Sequence, residues 1–421
     1  MWSSFISAIE QRSRLSLRSH LPSTLWLFGG QIIGSVGSLV LTVLLANYLT
    51  ENDFGTYKYL LTIFGFISVI ALTGFATSIT RSVAHGFEGE LKAGIKTSLR
   101  YSVGMIALGL VISGYYVWQG NLIIGLGSLV ATLTAPLLNA LPLYTALING
   151  RHDHKNYSIV GVLINVVPVL ASLVALYFTT AILALFTVYM VSQVVLHIVL
   201  YYVVIYHYQP NDKRDHHSTS YGKHLSLMNI LGGISYQLDK VVIWHVLGPV
   251  QLAVYTIAIA PAQQLRYLNK ILTTITLPRF SQRTLAHLQA TMIPKLLALL
   301  VVSAGIVLGY VLIAPYLFTY FVPTYTEAII YSQVFAFLIL FFPAGLLQEA
   351  IKAHADTKAL YIIQTVIPSL KIILLLVLTP LFGIFGVLAA MFICEITRLV
   401  IVLWYFYRPL GGTGVKAEHI A

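Results

Sequence analysis

The chain has 421 residues, 58% of them hydrophobic and 9% charged, with a net charge of +11 and a mean hydropathy of +0.84. A soluble domain usually carries about 25% charged residues, so this composition excludes a water-soluble globular enzyme. The apolar runs are long and unbroken rather than alternating, which excludes a β-barrel and leaves helices that satisfy their own backbone in lipid.

Residues 1–23 open with Trp2, Phe5, Ile6 and Ile9 at helical spacing, followed by Arg12, Arg14 and Arg18. That pattern predicts a short interfacial helix on the cytoplasmic face. The apolar run that follows is too long for a signal-peptide core and lacks a clear cleavage site. A membrane span needs roughly 20 apolar residues. Spans are expected near 24–48, 58–80, 98–117, 121–148, 157–178, 181–206, 224–247, 251–277, 295–317, 327–350, 359–379 and 384–407. This predicts an all-α polytopic membrane protein with about twelve transmembrane helices.

The loops test this count. Nineteen of the 25 Lys and Arg residues fall on one side, in the segments around Arg81, Arg151, Lys213, Arg279, Lys352 and Arg408 and at the N-terminus. The other side carries only Lys58, beside an expected loop over 49–57. Positive loops stay cytoplasmic, so both termini are expected there. The basic charge is thereby assigned to topology, and no nucleic-acid partner is expected.

The chain also repeats. Val43, Leu49 and Tyr57 match Val241, Leu247 and Tyr255 at an offset of 198, and Asp153 to Lys155 echoes Asp356 to Lys358 at 203. Two similar offsets predict two six-helix halves in the same orientation. The expected organisation is an interfacial segment 1–23, a first bundle 24–206, a cytoplasmic linker 207–223, a second bundle 224–408 and a cytoplasmic tail 409–421.

Ionisable groups inside spans cost about 2.5–3.5 kcal/mol each at a helix centre, so they are expected to face a wet cavity or a partner. In the eighth span Gln263, Arg266, Tyr267, Lys270 and Thr274 share one face. Two like charges one turn apart are unfavourable on an empty helix, and the stripe suits an anion. In the seventh span Asn229, Gly233, Tyr236 and Lys240 form a second stripe beside Asp239. There, either Lys240 extends the cationic lining or Asp239 and Lys240 pair locally. Asp239, Glu349 and Glu395 are the three candidates for taking up a coupling ion, because desolvation raises a carboxyl toward protonation. Lys371 and Glu395 sit at similar depth and are also expected to form an interhelical ion pair. Arg81 ends the second span, as a topological anchor or as a contact for a headgroup phosphate. Gly30, Gly34 and Ser38 form a small-residue ridge for close helix packing. The 13 histidines show no metal-binding spacing, and one cysteine, Cys394, permits no internal disulfide. No Walker A, GxSxG or kinase motif occurs, so neither an enzyme nor a cofactor or metal is expected.

Leu44 to Leu49 followed by Asp53-Phe54-Gly55-Thr56-Tyr57 resembles the first interhelical loop of the O-antigen and polysaccharide flippases. Gly74 to Arg81, Tyr236 to Lys240, Gly248 to Tyr255 and Gly383 to Ala390 resemble further parts of the same family. The resemblance implies a member of the multidrug/oligosaccharidyl-lipid/polysaccharide (MOP) exporter superfamily, with two six-helix bundles around a central cavity. It implies a bacterial inner-membrane flippase for an oligosaccharide on undecaprenyl pyrophosphate. Membrane lipids, a polysaccharide polymerase and a chain-length regulator would be its further partners. The diphosphate would sit on Arg81, Lys240, Arg266 and Lys270, helped by Gln263 and Tyr236. The related lipid II flippases carry basic residues in the first helix, and this chain has none there, which argues against lipid II. The alternatives are an ion-coupled drug/cation antiporter of the same superfamily and a membrane-embedded polymerase or glycosyltransferase. Five basic residues against three acidic ones in the spans disfavour the antiporter, and the short loops on the non-basic side disfavour the enzyme.

Overall fold

The computed structural model describes residues 17–281, 284–353 and 357–408. The expected interfacial segment before residue 17 and the tail after residue 408 lie outside the described residues, as does Asp356 of the second repeat. The described chain forms fourteen α-helices: α1 (Leu17–Tyr48), α2 (Glu51–Ile67), α3 (Phe75–Ala84), α4 (Glu90–Trp118), α5 (Leu122–Ala140), α6 (Tyr144–Gly150), α7 (His154–Phe178), α8 (Ile182–Tyr208), α9 (His216–Leu247), α10 (Pro249–Ser281), α11 (Leu285–Phe321), α12 (Ala328–Ala336), α13 (Phe342–Ala353) and α14 (Thr357–Tyr407). Among the described residues, seven helical stretches are long and apolar enough to cross a membrane, or eight if the bent pair α2 and α3 is one span. The chain is therefore an all-α, multi-pass membrane protein. Val111, Leu133, Val174, Val301 and Leu312 are each more than half exposed. Such an apolar outer surface is what lipid solvates.

The seven or eight are counted over the described residues alone, and the side chains of parts of α1 and α10 lie outside them. Of α1, Ile32–Tyr48 remains as a shorter apolar stretch. Helix α9 exists over the seventh expected span but carries Asp239, Lys240 and further polar residues that lower its apolarity. Helix α14 counts once, yet its 51 residues would reach about 76 Å at 1.5 Å per residue, more than twice a hydrocarbon core. It breaks at Gly383, whose φ of 60° and ψ of −138° no side-chain-bearing residue adopts easily. The break falls where the last two expected spans meet.

Two local expectations are corrected. The segment 49–57 is not a loop: Thr50 caps α2, its hydroxyl accepting from the Asp53 N–H at 3.1 Å. Lys58 is thus two turns inside a helix, where its ammonium donates to Thr42 Oγ1 of α1 at 3.1 Å. The second expected span is not one straight helix either. It bends by 58° between Glu51–Ile70 and Phe75–Ala84. Backbone freed at such a break must find other partners inside the membrane. The Gly74 N–H donates to Ser226 Oγ of α9 at 2.9 Å, and Asn229 of α9 donates to Thr73 Oγ1 at 3.2 Å.

Contacts divide the chain into two compact units, 1–257 and 258–421. In the first, α4 lies along α5, α1 along α7, and α9 packs on α2 and α3. The predicted ridge works here: a Cβ on Gly30 would come within 3.2 Å of the Ser158 carbonyl oxygen and one on Gly34 within 3.0 Å of Asn165, both on α7. One core gathers Phe75, Ile79, Tyr144, Leu147 and Leu200. In the second unit α13 packs on α14 over a core of Leu288, Met292, Leu347, Ile363 and Phe406. The division after Ile257 does not coincide with the expected linker 207–223, because that linker is fastened to the first unit. Arg151 donates through Nε and Nη2 to the Glu88 carboxylate at 2.6 and 2.8 Å, and the Asn211 N–H donates to it at 2.9 Å. Gly89 N–H donates to the Lys213 carbonyl at 2.9 Å, and Lys92 pairs with Asp212 at 3.0 Å. Glu90, buried, accepts from the Asp215 N–H at 3.1 Å and pairs with Arg214 at 3.4 Å. The linker and most of α9 are thus packed within the first unit.

Candidate functional site

The seventh-span stripe lies on α9, and the structure pairs its charges locally. Asp239 is buried and accepts from the Tyr255 hydroxyl at 2.6 Å and from the Lys240 N–H at 2.9 Å. The Lys240 ammonium stands 3.6 Å from the same carboxylate and 5.0 Å from the ring centroid of Tyr236, which is 62% exposed. Tyr255 is the second-repeat partner of Tyr57, and both are fully buried. A buried carboxylate with an ammonium and a phenol can hold or pass a proton. Its full set of neighbours also makes it a sound structural pair, since a buried charge needs such partners.

Further along α9, Trp244 stacks on Tyr59 of α2 with ring centroids 4.2 Å apart. The Tyr59 and Tyr116 hydroxyls lie 2.7 Å apart, Tyr116 reaches His245 Nε2 at 3.1 Å, and His245 Nδ1 reaches the Val241 carbonyl at 2.9 Å. With Nδ1 donating to that carbonyl, Nε2 accepts from Tyr116. This chain ties α2, α4 and α9 together and was not read from the sequence. Its residues are 57 and 129 positions apart, so no local pattern announces it.

In the second unit Gln263 of α10 is half-buried. The side chains of Arg266, Tyr267, Lys270 and Thr274, which complete the expected anion stripe, lie outside the described residues. Glu349 pairs with Lys352 at 2.7 Å on the next turn of α13. Glu395 pairs with Arg398 one turn on along α14, a partner the sequence analysis did not consider. Lys371 lies on the same helix, before the break.

At one end of the first unit, Arg81 occupies the last turn of α3. There a cation favours the carbonyl end of the helix dipole. Its guanidinium lies 5.8 Å from the Tyr221 ring centroid, and it forms no ion pair with a described residue. A cavity of about 440 Å³ opens beside it. Nearby, charge is tightly managed. The Arg151 guanidinium holds the Glu88 carboxyl below its ordinary range, against the opposing effect of burial. Burial pushes Asp153 up, but the hydrogen bonds from Tyr208 and Asn156 outweigh it and hold its pKa down. Asp153 uses that charge to cap α7, accepting from the Asn156 N–H at 3.1 Å.

This architecture defines a multi-pass membrane protein with the fold of MOP-superfamily transporters. It is similar to an outward-facing multidrug-resistance MATE transporter of that superfamily, with a TM-score of 0.61 at 12% identity over 91% of this chain and 94% of that one. A MOP-superfamily transporter from Pyrococcus furiosus, described as having a binding pocket of reversed polarity, matches with a TM-score of 0.61 at 13% identity over 91% and 95%. A eukaryotic MATE transporter gives 0.61 at 13% over 93% and 96%. A family model described as "Polysaccharide biosynthesis protein" matches residues 21–284, more than half of the chain. The chain belongs to that family, and the resemblance read from its sequence is borne out at that level. No curated protein sequence matches the chain.

Proposed function

We propose that the chain flips an oligosaccharide carried on undecaprenyl pyrophosphate from the cytoplasmic to the periplasmic leaflet of the bacterial inner membrane. It would do so by alternating access of two six-helix halves, 24–206 and 224–408, in a twelve-span arrangement with both termini cytoplasmic. The observation that carries this reading is the family match over residues 21–284. The excess of basic over acidic groups in the expected spans supports an anionic cargo. In this reading Arg266 and Lys270, with Gln263, hold the diphosphate, because guanidinium and ammonium groups make charge-assisted hydrogen bonds to phosphate oxygens. Lys240, Tyr236 and Arg81 extend that lining, and Asp239, Glu349 or Glu395 takes up the coupling ion. The polymerase and chain-length regulator of the same polysaccharide receive the product.

A drug/cation antiporter is the second reading, favoured by the MATE transporters that share the fold. Complementation separates the two. A strain lacking its own flippase should regain surface polysaccharide on receiving this chain, and the Arg266→Ala/Lys270→Ala double variant, at equal expression, should not restore it. Full rescue by that double variant removes the anion stripe. Drug resistance without rescue turns the assignment to the antiporter.

A further inference from the structure

The hydroxyl chain through Tyr59, Tyr116 and His245 has a direction, and one end sets it. The Val241 carbonyl only accepts, so His245 Nδ1, 2.9 Å away, carries a hydrogen toward it. Nε2 of the neutral ring is then an acceptor, and the Tyr116 hydroxyl donates to it at 3.1 Å. The Tyr116 oxygen in turn accepts from the Tyr59 hydroxyl at 2.7 Å. Trp244, stacked on the Tyr59 ring, also reaches the Tyr116 hydroxyl, and an indole N–H only donates. Both lone pairs and the one hydrogen of the Tyr116 hydroxyl are thereby spent. Tyr59 and Tyr116 are buried while His245 is exposed, so a proton from water reaches the ring without unfolding anything.

The cluster sits at the end of the first unit opposite the linker clasp. Helix α4 starts at Glu90, in the clasp, and ends at Trp118, two residues past Tyr116; α9 starts beside the linker and ends at Leu247, with His245 in its last turn. Gly248, at a φ of 88°, turns the chain into α10, and the Pro249 carbonyl lies against Gly55 of α2 where no Cβ would fit. The charged and titratable groups of the packed elements are engaged. Lys58 of α2 donates to Thr42, Asp239 and Lys240 of α9 pair, Tyr255 of α10 donates to Asp239, and Tyr115 of α4 accepts from Gln119. Glu51 and Asp53 stand in the first turn of α2, on the far side of Gly55 from Tyr59. The two His245 nitrogens meet only Tyr116 and Val241 among the described residues, so no carboxylate there holds an imidazolium. A proton on Nε2 turns that acceptor into a donor. Either it then meets another donor, or the chain reverses and strands the Tyr59 hydrogen in a buried place, which folded proteins avoid. Histidine is the side chain that ordinarily changes charge between pH 8 and 5. We infer that Tyr59, Tyr116, Trp244 and His245 form a proton-released latch: closed while His245 is neutral, it frees the end of α9 from α2 and α4 when His245 is charged. The latch depends on neither the flippase reading nor the antiporter reading.

The test is amide hydrogen exchange on the purified full-length protein in phosphatidylcholine nanodiscs, read on the peptide covering 241–248 and corrected for the intrinsic rate at each pH. Protection there should fall about tenfold between pH 8 and pH 5.5, the scale of one lost hydrogen bond. His245→Gln offers Tyr116 an acceptor that does not titrate, and should hold the protection at both pH values. Tyr116→Phe opens the chain and should give low protection at both. His224→Gln, which removes an exposed histidine nearer the opposite end of α9, should keep the wild-type response. Wild-type protection that does not change with pH, the same fall in His245→Gln, full protection in Tyr116→Phe, or loss of the response in His224→Gln overturns the latch.

Discussion

Two charged regions lie close together at one end of the first unit, and they treat charge in opposite ways. Around Glu88 and Glu90 every carboxylate oxygen is met by a guanidinium, a backbone N–H or a hydroxyl, and the result is a fastened linker. Around Arg81 no carboxylate lines the adjoining cavity, and the guanidinium faces the Tyr221 ring. Both would look alike on a count of charged residues. The difference lies in where each charged group is spent, so in a membrane protein partner accounting separates charges that hold the fold from charges that the fold leaves without a carboxylate.

Substitutions can break or sharpen that contrast. The largest effect is expected from Arg151→Ala, which leaves the buried Glu88 carboxylate without its two-pronged partner. Loss of about 2–3 kcal/mol is expected, read as a lower thermal midpoint of the detergent-solubilised protein. The Glu88 carboxyl is held below its usual value near 4.5. Its contribution is therefore fully present above that value and is lost as pH falls through its folded pKa. The gap in midpoint between wild type and Glu88→Gln should accordingly be constant from pH 7 to 5 and shrink as pH falls below the ordinary value of 4.5. A gap that does not depend on pH on the acid side would mean that the carboxylate is not what fastens the linker.

Next comes the Asp239–Lys240 pair. Asp239→Asn should cost about 1–2 kcal/mol, and the Asp239→Asn/Lys240→Met double variant less than the sum of the singles by about 1 kcal/mol. Strict additivity would show that the two charges are not coupled. Tyr116→Phe, which opens the hydroxyl chain from Tyr59 to His245, should cost about 1 kcal/mol. At the other extreme, Arg81→Gln should change stability by no more than about 0.5 kcal/mol, since it loses the Tyr221 ring face but no ion pair with a described residue. A drop as large as that of Arg151→Ala would place Arg81 among the structural charges.

Most of the helices were legible because an apolar run of twenty residues leaves few other solutions in lipid. The ridge of Gly30 and Gly34 and the meeting point of the last two spans at Gly383 were legible for the same kind of reason: small or φ-permissive residues stand where packing or a turn requires them. The bend after Ile70 was not legible, since the amide it frees at Gly74 is met by a hydroxyl of Ser226 more than 150 positions away. The linker clasp escaped for the same reason; Glu88 and Asn211 read as ordinary loop residues until the fold brings them together. The start of α2 escaped as well: Thr50 has the side chain of a helix cap, but only the structure shows it capping a helix where an interhelical loop was expected. The candidate site was only partly legible. Arg81 and Asp239 stood out as charges at or within spans. The hydroxyl chain through Tyr59, Tyr116 and His245 did not, because its members stand far apart in the sequence.

The kink between α2 and α3 carries one further implication. Its orphaned amide at Gly74 borrows its acceptor from a neighbouring helix rather than from its own. Pulling α9 away would strand that amide in hydrocarbon at a cost of several kcal/mol unless a water molecule followed it in. Hydration and helix separation are thereby yoked at this spot, and any opening here would have to begin with wetting.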